Sequence, residues 1–174
     1  SSSPRWRSFM LAHPATLEEL SKLDPNDFVA EWKWDGIRVQ VVADSNTTTL
    51  YSRTGEDITG SFPELKMPAG FVGVIDGELL ARRSDMERLA PGTFNDLQQR
   101  LNRKAPPQKL IEGSPVFVRA YDLLQTGEHD MRSQTTMERR QALVDVLSAV
   151  RPDFMDASEH IEFGQFEALD RMRR

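Results

Sequence analysis

The sequence predicts an α+β fold built mainly on antiparallel strands, and three observations carry that prediction. Strand-like runs, alternating or continuously apolar, crowd residues 28–53, 71–80 and 115–124. Helical periodicities are scattered among them instead of alternating one for one with strands, as a parallel α/β fold would require. At 174 residues, with 39% hydrophobic residues, the chain has the size and apolar content for one domain with a core.

Residues 1–13 read as an irregular arm or linker, rich in Ser, Pro and Arg, with Trp6 and Phe9 as candidate anchors. Residues 14–174 read as the folded part. Leu17, Leu20 and Leu23 recur at helical spacing, and Thr16 with Glu19 forms a capping box that opens a short helix. Asp24-Pro25-Asn26-Asp27 ends it. Phe28 to Trp34 reads as a strand, joined through a two-residue Asp35-Gly36 turn to the alternating strand Ile37–Val41. Thr47 to Arg53 is β-branched and aromatic, hence a third strand, and residues 54–57 form a loop. Two further strands run over 71–80 and 115–124. Thr93 caps a helix expected to reach Asn102 and to present Phe94, Leu97 and Leu101. Thr135 and Glu138 cap a longer helix that shows Leu143, Val146, Leu147 and Val150 on one face. Phe163, Phe166, Leu169 and Met172 recur every three residues, which predicts a final helix from Glu159.

Composition excludes several classes. The charge is −5, from 22 Lys plus Arg against 27 Asp plus Glu, so bulk electrostatics alone does not favour nucleic acid. No apolar run approaches the roughly 20 residues of a membrane span. With no cysteine, disulfide scaffolds and thiolate metal sites are excluded, and a reducing cytoplasm fits. His13, His129 and His160 are too scattered for a zinc motif, and no Gly-x-x-x-x-Gly-Lys loop is present. Arg100, Arg103, Lys104 and Lys109 make a basic stretch, either a solvated face or a contact for DNA backbone. The chain opens on Ser1-Ser2-Ser3 and stops at Arg174 within a helical pattern, and both ends read as cuts in a longer chain.

The chemistry concentrates in Glu31-Trp32-Lys33-Trp34-Asp35-Gly36-Ile37-Arg38, where one lysine lies between two tryptophans. Partial burial there would strip hydration from the ammonium and favour the neutral, nucleophilic amine. A lysine in a strand is far more often simply a solvated side chain, and spacing alone does not decide between the two readings. Asp76 and Glu78 share a strand face by their period of two, a pattern usually solvated. Tyr121, in an apolar strand, is by itself more readily a core residue than a platform.

Four stretches then occur in an order that carries a resemblance. Lys33-Trp34-Asp35-Gly36-Ile37-Arg38 resembles the first motif of the covalent nucleotidyltransferases, which include ATP-dependent DNA ligases, RNA ligases and mRNA capping enzymes. Tyr51-Ser52-Arg53-Thr54-Gly55-Glu56 resembles the motif that follows the nucleophile in DNA ligases. Val74-Ile75-Asp76-Gly77-Glu78-Leu79 resembles the acidic strand motif, and Phe117–Leu124, ending Tyr-Asp-Leu-Leu, the aromatic one. The wording is closest to bacterial ATP-dependent DNA ligases, and the resemblance is clear from about Phe9 to Leu124.

The resemblance implies an ATP-grasp-like adenylation domain with antiparallel sheets flanked by helices, over 14–174 and truncated before its end. It implies that Lys33 takes AMP from ATP, with Mg²⁺, and that AMP passes to the 5′-phosphate of a DNA nick sealed by the 3′-hydroxyl. Glu31 would contact the adenine edge, Arg38 the ribose and phosphate, and Arg53 the nucleotide or the nick phosphate. Glu78 would accept from a ribose hydroxyl and Tyr121 would stack on adenine. Each type suits its partner: carboxylates accept from amino groups and hydroxyls, guanidinium forks match phosphates, and a phenol ring offers a stacking face. The family's later Glu-Gly-apolar-Lys motif and its Lys-rich strand motif are absent, so no metal ligand is assigned. The implied setting is cytoplasmic DNA repair, replication or recombination. The partners would be nicked duplex DNA and flanking DNA-binding and OB-fold domains, with no membrane and a monomeric state. A non-catalytic nucleotide- or DNA-binding fragment, and an RNA ligase or capping-enzyme core, stay open as alternatives.

Overall fold

The computed structural model describes residues 3–9 and 12–173. They form two compact units. The larger takes residues 3–9 and Trp34–Ala157, the smaller 12–33 and 158–173.

In the larger unit, β2 (Ile37–Asp44), β3 (Thr47–Ser52), β4 (Val72–Ala81), β5 (Val116–Thr126) and β6 (His129–Asp130) form an antiparallel sheet ordered β3-β2-β4-β5-β6. β7 (Met155–Ala157) adds to β5 in parallel, the one departure from the antiparallel pattern among the described strands. Val39, Val41, Ile75, Leu79, Val118 and Leu123 make one face of this sheet apolar and solvent-free. Helix α4 (Thr136–Val150) covers the β5 and β7 side of that face, and Phe62, Leu65, Met67 and Leu97 fill the core beside it. Leu143 is fully buried, while Val146, Leu147 and Val150 pack alongside, as their periodicity predicts. Its capping box is Thr135 with Glu138. Arg139, on the first turns of α4, grips Asp122 of β5 with a forked pair at 2.7 and 3.2 Å.

Several expectations are corrected. Phe28–Trp34 is not a strand hairpinned to β2. Both edges of β2 are taken, by β3 and β4, and the two-residue hairpin loop is Ser45-Asn46, with Ser45 at φ 52°. Only β1 (Ala30–Glu31) is extended there, and it pairs within the smaller unit with β8 (His160–Ile161). The final helix therefore cannot start at Glu159; α5 spans Phe166–Arg173. Its Phe166 packs against Phe28 and Phe163, with ring centroids 5.9 and 5.5 Å apart. The short helix α1 (Leu17–Leu20) forms with the expected Thr16–Glu19 box. Helix α2 (Phe94–Gln98) stops short of Asn102, because Gln99 and Arg100 donate to carbonyls three residues back and tighten the last turn. A helix the sequence reading lacks, α3 (Gln108–Gly113), follows.

Arg100 leaves the basic stretch altogether. It is fully buried, paired with Glu64 at 2.7 Å, bonded to the carbonyls of Ser61 and Ser114, and set over the Phe62 ring. It ties the 61–64 segment to α2 and to the end of α3. Among the described residues, no helix is long and apolar enough to cross a membrane.

Candidate active site

The second face of the large sheet carries a polar patch beside a small apolar cluster of Val42, Val74 and Leu124. Strand alternation puts Arg38 and Gln40 of β2 on it, opposite Glu78 and Asp76 of β4. On β5 the register against β4 jumps from Asp122 to Ala120, so Tyr121 is the extra residue of a β-bulge. Such a bulge re-aims a side chain. Asp122 turns to Arg139 under α4, while Tyr121 turns to the polar face and accepts a 2.6 Å hydrogen bond from Arg38 Nε. Gly77 permits this close packing, since a Cβ there would lie 2.7 Å from Val118 and 2.8 Å from the Arg119 carbonyl oxygen.

Residues 3–9, which form no helix or strand, lie on the same face. The Gln40 side chain treats Arg7 as a neighbouring strand. Its Oε1 accepts from the Arg7 amide at 2.6 Å, and its Nε2 donates to the Arg7 carbonyl at 3.0 Å. Nε2 also donates to Asp76 at 2.8 Å. Phe9 then stacks on Arg38, whose guanidinium lies 5.0 Å from the Phe9 ring centroid and 5.4 Å from that of Tyr121. Trp6 fills the space over Gly55, whose φ of +86° closes the turn after β3.

Electrostatics follow from burial. Asp76 is 2% exposed, and desolvation pushes its carboxyl up to about 7 against the opposing hydrogen bond from Gln40; nearby Asp122 raises it further. Burial likewise pushes the Tyr121 phenol up to about 12, with Arg38 opposing. Tyr121 therefore keeps its proton at neutral pH.

The six residues singled out from sequence divide between the units. Arg38, Glu78 and Tyr121 come together on the polar face. Arg53 is exposed on the turn after β3, a turn closed by bonds from Ser52 to Glu56 (2.8 Å) and from Gly55 to Ser52 (2.9 Å). Glu31 and Lys33 belong to the smaller unit. Glu31 on β1 faces His160 on β8, with Oε1 and Nε2 3.1 Å apart. Lys33 is exposed, so the desolvation expected from its flanking tryptophans is not supplied: Trp32 is 46% exposed and Trp34 packs within the larger unit. Gln40, Asp76 and His160 were missed as supporting residues. Alternation with Arg38 and Glu78 was the available signal for the first two; nothing local marks His160.

An antiparallel sheet that carries the ordered motifs from Trp34 onward has the arrangement that the nucleotidyltransferase resemblance implies. The chain belongs to the ATP-dependent DNA ligase domain family, whose model it matches over residues 9–174. It is 35% identical over 139 residues to a probable DNA ligase of Anaeromyxobacter sp. (strain Fw109-5), covering 77% of this chain and 26% of that protein. The ligase domain of M. tuberculosis LigD superposes with a TM-score of 0.67 at 25% identity, over 88% of this chain and 47% of that one. A mycobacterial DNA ligase D complexed with ATP and MES gives 0.63 at 25% identity, over 83% and 44%. The chain thus spans about a quarter of the length of the curated relatives it matches.

Proposed function

We propose that the chain is part of the adenylation domain of an ATP-dependent DNA ligase. The observation that carries the reading is the meeting of Arg38, Glu78 and Tyr121, from three separate motifs, on one polar sheet face in a chain of this family. The Lys33 amine, after losing its proton to solvent, attacks the α-phosphorus of ATP. A P–N bond forms, the bond from the α-phosphorus to the bridging oxygen breaks, and pyrophosphate leaves. AMP then passes to the 5′-phosphate of a nick, and the 3′-hydroxyl displaces it. Because little covalent chemistry falls to the protein, its work is positioning and charge stabilisation.

In this reading Glu31 accepts from the adenine amino group, and Tyr121 offers its ring to the base. Glu78 accepts from a ribose hydroxyl and Arg38 approaches the ribose and phosphate. Arg53, on its rigid turn, meets the nucleotide or the nick phosphate. Among the described residues no group of three or more metal-ligating side chains gathers. Mg²⁺ would accordingly arrive on the phosphates of ATP, as this reluctantly dehydrated ion commonly does. The whole protein would act on nicked duplex DNA as a cytoplasmic monomer, with DNA-binding and OB-fold domains beside this one. Residues 1–174 alone would not seal nicks, since the family's later motifs are absent from them.

The test is the intact mass of the full-length protein after incubation with ATP and Mg²⁺. An AMP adduct that disappears in Lys33→Ala is expected. No adduct, or one that survives the substitution, overturns the reading.

A further inference from the structure

Arg119 and Asp156 have no role in the reading above, yet both are tied to the residue that follows Lys33. Arg119 lies on β5 in register with Asp156 of β7. Their ion pair is two-pronged, Nε to Oδ1 at 3.0 Å and Nη2 to Oδ2 at 2.9 Å, and Nη2 also donates to the Leu89 carbonyl at 3.2 Å. The Arg119 side chain is only 12% exposed. The guanidinium plane so fixed lies over the Trp34 indole, 4.4 Å from the ring centroid, with the Phe117 ring 5.1 Å away. Two residues further on, Gly36 is pressed onto β4 so tightly that a Cβ would collide with the Leu79 carbonyl oxygen. The segment from Trp34 to the start of β2 is therefore held at both ends. Lys33 is the residue immediately before it.

We propose that Arg119 and Asp156 are positioning residues that, by holding Trp34, fix the point from which the Lys33 side chain reaches ATP. The inference rests on the reading of Lys33 as the nucleophile. A lysine side chain has four rotatable carbons, and its attack on phosphorus tolerates little misplacement. An anchored Cα removes one source of that misplacement. The chemistry also explains the residue type. Only a planar fork can pair with a carboxylate through two parallel bonds while offering its face to an indole; an ammonium can do the first only as a point charge.

The test is single-turnover formation of the Lys33 adenylate on the full-length protein across a range of ATP concentrations, with thermal melts as a control of folding. Arg119→Lys and Trp34→Leu are each expected to lower the maximal rate about 10- to 100-fold. The ATP concentration at half-maximal rate should stay within about twofold, as for a residue that does not bind ATP. Trp34→Phe, which keeps a ring under the guanidinium, should recover the rate to within about threefold of wild type. Should Arg119→Lys fail to fold, Asp156→Asn, which keeps the shape of the pair, takes its place with the same expectation. Folded variants with maximal rates within about twofold of wild type overturn the proposal, as does a loss confined to ATP half-saturation. Trp34→Phe performing no better than Trp34→Leu overturns it too. A wild-type protein that forms no Lys33 adduct removes the nucleophile reading first and this inference with it.

Discussion

The two faces of the large sheet come from the same strands, one residue out of phase. On one, Val39, Val41, Ile75 and Leu79 join the main core; on the other, Arg38, Gln40, Asp76 and Glu78 stand in cross-strand pairs beside a small apolar cluster of Val42, Val74 and Leu124. The apolar face is closed by α4 over β5 and β7 and elsewhere by α2 and residues 62–67, the polar face partly by a strap of residues 3–9 held through side-chain amides. Burial on the first face is favourable in itself. On the second, each buried polar group must find a partner, and Gln40 serves as the adaptor for three of them, the Arg7 amide, the Arg7 carbonyl and the Asp76 carboxyl. The first face accounts for stability, and the second carries the groups assigned to the nucleotide.

Substitutions on the two faces should separate these contributions. Leu143→Ala empties a fully buried site under α4 and should cost about 2–5 kcal/mol in chemical denaturation. Adenylate formation in the remaining folded protein should be little changed, and a comparable loss of both would blur the distinction. Arg38→Ala should lower both. Denaturation should move by about 1.5–3 kcal/mol, the scale of a hydrogen bond from a charged group. Adduct formation should fall about 100-fold or more, as when one charge-stabilising donor is removed.

Asp76→Asn tests the cost of a carboxyl on the buried polar face. The folded protein holds this proton up to about pH 7, whereas the ordinary value is 3.8. Between those values the folded state binds more protons than the unfolded one, so rising pH lowers stability. The slope approaches about 1.4 kcal/mol per unit in that window. The contribution is complete below about pH 4 and is lost as pH climbs through 7. Asn, which cannot ionise, should flatten the slope between pH 5 and 7 in urea melts; an unchanged slope would mean that Asp76 is ionised in the folded state. The smallest effect belongs to the edge of the apolar side. Thr135→Ala removes the cap of α4 and should cost about 1 kcal/mol, with adenylate formation unaffected.

What could be read from sequence was what local physics decides. The strands over 72–81 and 116–126 and the helix from Thr136 to Val150 follow from apolar runs, caps and periodicity within the element itself. The two expected capping boxes, of α1 and α4, form as written, and the Thr93 cap of α2 proves to be a third box completed by Asp96. The errors lie where distant residues decide. Asp35-Gly36 has the composition of a hairpin turn, but its glycine answers to the Leu79 carbonyl, more than forty residues away. β1 is extended because His160 and Ile161 pair with it. Arg100 looks like one charge in a basic run until Glu64, Phe62 and two carbonyls enclose it. For the candidate site, motif order pointed to Arg38, Glu78 and Tyr121. The bulge that turns Tyr121, and the Gln40 and Arg119 contacts, depend on strand register, which a single sequence does not display.

The pairing of Ala30 with Ile161 also sets a timetable for synthesis. At roughly 5–20 residues per second, a ribosome needs roughly 7–25 seconds after making residue 30 to deliver its partner. Through that interval the large sheet can begin to assemble, while the strand just ahead of Lys33 waits with its edge unpaired. The segment that bears the candidate nucleophile is thus completed only after the strands of the large sheet, although it precedes all of them in the sequence.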